Sequence, residues 1–240
     1  MTPAERLVDV EKQLAEDPDD SFLIERRASV HVELQQWDKA IADLRSAITA
    51  KPDSASAYVG LASILAYQRD EAGFRSLSRQ LLERFDGDWG ITEACFLKPE
   101  WLDDPKRVEL MLEKSLSSSQ MGSSLNRFGS EQQEQINRSR LEMLRGQPLL
   151  AIQGFGESLT RLESSDRFNF NRDSAVLVRL HLAMALKSIG DDTRAEATLQ
   201  DAEQALGPVP NSLSSVANHV LLRQAQAKIF GKERTASVMP

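Results

Sequence analysis

Proline and alanine return along this chain at a fixed interval, and the interval is 34 residues. Pro18 and Pro52 stand 34 apart, as do Ala28 and Ala62. One interval after Ala40 and Ala47 come Phe74 and Leu81, and a further one brings Val108, Leu112 and Ser115 into register. Self-similarity at such a period means stacked copies of one small unit, each burying its apolar face on its neighbours. The period then stretches. From Val108 to Ala151 is 43 residues and from Ala151 to Ala195 is 44, with the surplus in "SSSQMGSSLNRFGSEQ" and "ESSDRFNFNRD". Both segments are polar and turn-rich, which is where an array tolerates insertions.

Each unit reads as two helices. In "SASAYVGLASILAYQRDEAGFRSLSRQLLERF", Tyr58, Leu61, Ala62 and Leu65 share one helical face. "QRDE" interrupts that stripe before a second one, Phe74, Leu77, Leu81 and Phe85. In the last unit Leu182, Ala183, Leu186 and Ile189 lead to "GDD", then Ala195, Leu199 and Ala202. Gly190 suits a helix C-terminus, where the left-handed backbone favours glycine, and the aspartates suit the next N-terminus. Asp104 and Pro105 predict an N-cap and first helical residue in the third unit, and Pro99 should cut that unit's first helix short. Alanines at 28, 40, 47, 62, 151, 183, 195 and 202 mark close helix approaches, with Trp37, Tyr58, Phe74 and Phe155 filling the space beside them.

Composition agrees with helices and narrows the function classes. With 41% hydrophobic and 27% charged residues, the 240-residue chain reads as soluble and can bury a core without metal or disulfide support. Twelve glycines and nine prolines are few for an all-β protein. The formal charge of -7, with no run of Lys and Arg, argues against a nucleic-acid partner. Cys95 is the only cysteine, so no internal disulfide forms and a thiolate metal site is not expected. No signal-peptide pattern opens the sequence and nowhere do 18 apolar residues follow one another, so the expectation is a cytoplasmic protein, or a cytoplasmic piece of a larger one, without membrane contact.

The segments "YVGLASIL", "WDKAIADLRSAITAKP" and "LHLAMALKSIGDDTRAEATLQDA" resemble the tetratricopeptide repeat, a 34-residue helix-turn-helix with the pattern W-x2-L-G-x2-Y, A-x3-F and Pro. The third unit departs from it, with Phe96 where a small residue is usual. The resemblance implies an all-α fold, a right-handed α-solenoid. Its expected organisation is a single domain over 1–240: a leading helix at 4–20, repeats at 21–54, 55–87, 88–121, 132–165 and 176–207, and a capping helix at 211–231. A narrower likeness, in "QRDEAGFRSLSRQLLERF" and "EACFLKPEWLDDPKRVELMLEKSL", is to the repeat tails of Ser/Thr kinases and WD40 proteins in planctomycete-type bacteria. It implies either a tail, with a kinase or WD40 domain in the same parent protein as partner, or a free-standing relative, and not a kinase activity in this chain.

Motifs for chemistry are weak. "GFGES" at 154–158 lies within an apolar helical stripe rather than a strand-turn-helix, and no P-loop lysine follows it. His31, His181 and His219 are far apart and form no ligand set, and Cys95 beside Phe96 reads as a small buried residue. "NRS" at 137 matches a glycosylation triplet by chance. No catalytic residue, metal or cofactor is assigned. What remains is surface: stacked pairs line a concave groove with their first helices. Groove candidates are Glu25, Ser29, Val32, Val59, Ser63 and Ala66 towards the front, and Ile136, Arg140, Met143, Leu180 and Met184 towards the rear. Glu25, Ser29 and Val59 replace the Lys and Asn set with which relatives of this family grip a C-terminal carboxylate, which argues against that ligand. The expected activity is non-catalytic binding of a peptide or protein segment in that groove, with self-association as the alternative and catalysis in third place.

Overall fold

The computed structural model describes residues 1–85, 94–104, 106–119, 127–164 and 172–231, with side chains omitted at 115, 118–119 and 127–130. Among these residues every regular element is helical. The α-helices are α1 (Pro3–Glu16), α2 (Ser21–Glu33), α3 (Trp37–Ala50), α4 (Ala55–Gln68), α5 (Glu71–Arg84), α6 (Lys106–Ser119), α7 (Arg127–Leu144), α8 (Pro148–Glu163), α9 (Arg172–Ser188), α10 (Asp192–Leu206) and α11 (Leu213–Phe230). Residues 94–96 are helical as well, and a 3-10 turn spans Pro99–Trp101. Pro105, the Ser-rich insertion at 120–126 and the insertion at 165–171 lie outside the described residues.

The 34-residue period is visible in the backbone itself. α2 and α4 begin 34 apart, at Ser21 and Ala55, and so do α3 and α5, at Trp37 and Glu71. The turn inside each pair repeats a single device: Gln35, Arg69, Gly146 and Gly190 adopt positive φ of 57°, 61°, 69° and 81°. The next residue's amide then reaches back five positions, from Gln36 to His31 O, Asp70 to Leu65 O, Gln147 to Glu142 O and Asp191 to Leu186 O, at 2.8–3.1 Å. That closure satisfies carbonyls a helix end otherwise leaves without partners. The second helix starts at once, with Asp70 accepting from Gly73 N at 2.9 Å and Asp191 from Arg194 N at 3.2 Å.

Two compact units are described in turn: Met1–Pro105 with Pro210–Ala217, and Lys106–Val209 with Asn218–Pro240. In the first, α1 to α5 pack in chain order, each on the next. Thr2 and Glu5 close a capping box at the front of α1, whose buried stripe includes Val10 and Leu14. Ala28, Ala40, Ala47 and Ala62 have no exposed surface, and between them stand Leu44, Tyr58 and Phe74. Tyr58 meets Phe85 edge to face at 5.3 Å, and Phe74 meets Trp101 at 5.6 Å. Helical residues 94–96 stop short of Pro99, which opens the 3-10 turn, and Phe96 is half-buried. In the second unit α6 to α10 pack in chain order and α7 also meets α9. Ala151, Ala183, Ala195 and Ala202 are fully buried, and Phe155 lies among them.

Candidate interaction surfaces

The groove candidates divide by accessibility. In the first unit Glu25, Ser29 and Val59 are half-buried, whereas Ser63 is buried. In the second, Met143 and Met184 are half-buried, whereas Arg140 and Leu180 are buried. Ser63, Arg140 and Leu180 therefore present no surface to a partner, and neither do Val32, Ala66 and Ile136. The physical reason lies in their helices. The sequence pattern assumes one packed stripe and one free face, but α4 is buried at Ala57, Tyr58 and every position from Gly60 to Ala66, and α9 at most positions from Ala175 to Leu186. A helix apolar on all sides is buried on all sides.

Where these polar groups go is clear locally. Ser63 Oγ donates to Val59 O at 2.8 Å, within its own helix. Arg140 donates to Asn137 Oδ1 at 3.2 Å. Asn137 is itself buried, so the Asn-Arg-Ser triplet offers no exposed acceptor. The carboxylate of Glu25 accepts from Ser54 Oγ at 2.9 Å and Ser56 Oγ at 2.6 Å, tying α2 to the start of α4.

The titratable groups are likewise engaged in packing. Arg27 donates to both oxygens of Asp43 at 3.0 and 2.7 Å, and this hydrogen bonding raises the guanidinium pKa further despite partial burial. His31 places Nδ1 2.8 Å from Gln36 Oε1 and Nε2 3.7 Å from Asp43, so both ring nitrogens belong to the α2–α3 clasp. Burial pushes the Cys95 thiol up to about 12, which keeps it protonated at neutral pH and unsuited to nucleophilic attack. "GFGES" falls mid-helix in α8, where Gly154 lets Ser139 and Gln135 of α7 come close. Among the described residues no group of His, Cys, Asp and Glu is arranged to hold a metal ion, and no helix is long and apolar enough to cross a membrane.

An apolar surface that periodicity did not single out lies at the intra-pair turns of the second unit. Leu144 ends α7, and Leu149 and Leu150 open α8, with 41%, 69% and 54% of their surface exposed. Ile189 occupies the corresponding turn of the next pair and is also exposed. These side chains follow a recognisable signal, apolar residues on either side of the "RGQP" turn, but no stripe spacing joins them.

The fold thus defines an all-α protein built of successive helix-turn-helix pairs. The chain matches no family model and no curated protein. Among solved structures it is similar to PilW, a widely conserved type IV pilus biogenesis factor, at 20% identity and a TM-score of 0.48, over 81% of each chain. It is also similar to a structure of Naa15/Naa10 bound to HypK-THB, at 16% identity and a TM-score of 0.33, over 83% of this chain and 28% of that one. Likeness at this level carries no argument about partner or activity.

Proposed function

We propose that the chain is a non-catalytic protein-interaction scaffold, a tetratricopeptide-like array that presents preformed helical surface to a peptide or protein segment. The observation that carries this reading is the exposed Leu144, Leu149 and Leu150 set on a rigidly closed turn. Large apolar side chains grouped in water favour association, and a surface held by packed helices loses little entropy on binding. Glu25, Ser29 and Val59 in the first unit, and Met143 and Met184 in the second, are the groove positions still accessible to a partner. The likeness to kinase and WD40 repeat tails supports a partner domain in the same parent protein, in a bacterial cytoplasmic setting.

The test is capture of proteins by the full chain, compared with Leu149→Asp/Leu150→Asp and, separately, Met143→Glu/Met184→Glu. A partner retained by the wild type and lost from either variant, at unchanged helicity, supports the reading. Identical capture by all three rejects these surfaces. The same leucines also suit a second copy of the chain. Light scattering over concentration separates that alternative: a mass that doubles in the wild type and not in Leu149→Asp/Leu150→Asp supports self-association, and a constant monomer refutes it.

A further inference from the structure

We infer that residues Pro210–Ala217 act as an internal ligand of the first unit, seated on the α2–α3 turn and on α4 where a peptide partner of the array would otherwise lie. The segment is separated from its receptor by most of the chain, yet it belongs to the first compact unit. Its hold has two parts. Gln35 Nε2 donates to Pro210 O at 3.0 Å, across 175 residues, and also to Val32 O at 3.2 Å. The δ-methyl groups of Leu213 lie where α4 has only Gly60: a Cβ added there would stand 3.4 and 3.5 Å from them. Pro210, Ser215 and Val216 are buried.

The two parts together are a recognition pattern. A side-chain amide reads one backbone carbonyl, and an apolar notch takes a leucine on the following helical turn. The ligand is also built for the task. Pro210 has no N–H to satisfy, and Ser212 and Ser215 cap the start of α11 reciprocally, each amide donating to the other's hydroxyl at 2.9–3.1 Å. A preformed helix start pays little to dock. The receptor is matched to it at Gln35, which holds the left-handed turn that glycine fills in the second unit, at Gly146 and Gly190. Gln35 thereby brings its amide to the carbonyl.

An external segment of the same chemistry, a free carbonyl followed a turn later by leucine, must compete with this one. Tethering gives the internal copy an effective concentration of order millimolar, so the face is closed to weak ligands until it is released. Competition by an outside partner rests on the scaffold reading, but the occupancy itself does not. A labelled peptide of residues 208–221 tests it alone.

The full-length wild type and the Leu213→Asp variant are titrated with that peptide. The variant is expected to bind at least about tenfold more tightly than the wild type, and a peptide carrying the same Leu→Asp change is expected not to bind. Equal binding by both proteins, or no binding by a variant that keeps wild-type helicity and melting, overturns the inference. Gln35→Gly decides the matter if Leu213→Asp fails to fold, because glycine suits the turn while removing the amide. In that variant the Ser215–Ala217 amides are expected to exchange roughly two- to tenfold faster, the worth of one hydrogen bond, with α10 unchanged. Unaltered exchange there overturns it. Loss of lysate capture with this result intact would refute the scaffold reading and leave the internal ligand standing.

Discussion

His181 makes the second unit acid-sensitive, and the size of the effect follows from its surroundings. The imidazole lies buried in α9, tilted against Phe155 with ring centroids 5.5 Å apart, and Nδ1 faces Leu177 O at 2.9 Å. Burial disfavours the imidazolium most, the charge of buried Arg140 adds to this, and the Leu177 carbonyl opposes both weakly; the pKa falls from 6.5 to about 3. Above pH 6.5 the ring is neutral folded and unfolded, so the site contributes no slope. Below it the unfolded chain takes up a proton that the folded chain refuses until about pH 3. Stability therefore falls with falling pH, by about 1.4 kcal/mol per unit, or about 2 kcal/mol between pH 6.5 and pH 5. Replacing the ring with a side chain neutral at every pH, His181→Gln, removes that slope. Urea titrations of both proteins at pH 7, 6 and 5, followed by circular dichroism, measure it. The variant should be less stable at pH 7, from lost packing, yet lose about 2 kcal/mol less on acidification. Parallel losses would show that His181 is protonated in the folded state and that the assigned burial is wrong.

Three further expectations concern the packing. Gly146→Ala should cost about 1–2 kcal/mol, because nothing crowds a Cβ there but φ is +69°, whereas Gly156→Ala, equally uncrowded and within α8, should gain about 0.5–1 kcal/mol; melting temperatures moving in one direction for both would refute the backbone assignment. Ala62→Leu adds three carbons at a fully buried contact and should cost about 1–3 kcal/mol by chemical denaturation. Asp43→Ala strips two hydrogen bonds from Arg27 and the facing charge from His31, and should cost about 1–3 kcal/mol; restoration by Asp43→Asn to near wild-type stability would show that the ionic part of the clasp is unimportant.

The helices were legible in the sequence because their signals are local. Alanine at 28, 40, 47 and 62 marks close approach wherever it falls on a buried stripe, and each is fully buried. Gly190 and the aspartates after it announced a turn that the backbone adopts. Gln35 and Arg69 did not, since neither residue type prefers positive φ; their conformation is imposed by the closure of the turn on both sides. A period of 34 between two unrelated residues is what reveals them. Arg140 shows a sharper limit. Arginine at a groove position reads as an exposed cation, and only the packed structure shows it buried beside Asn137 and His181.

The groove reading fails at Ser63, Arg140 and Leu180 for a reason the sequence did contain. An array needs its first helices apolar on one side to meet their own partners, and free on the other to meet a ligand. "AYVGLASILA" and "AVLVRLHLAMAL" leave almost no polar face, so the first-helix surface in each unit had to be buried by something beyond the pair. In the first unit, one such contributor comes from Pro210–Ala217, most of which the pattern reserved for the capping helix at 211–231. Periodicity is a rule about neighbours, and it carries no term for a segment 175 residues away. The composition of a first helix is therefore the better guide to its groove: where a helix of this kind is apolar all round, the occupant should be sought within the same chain before a partner is sought outside it.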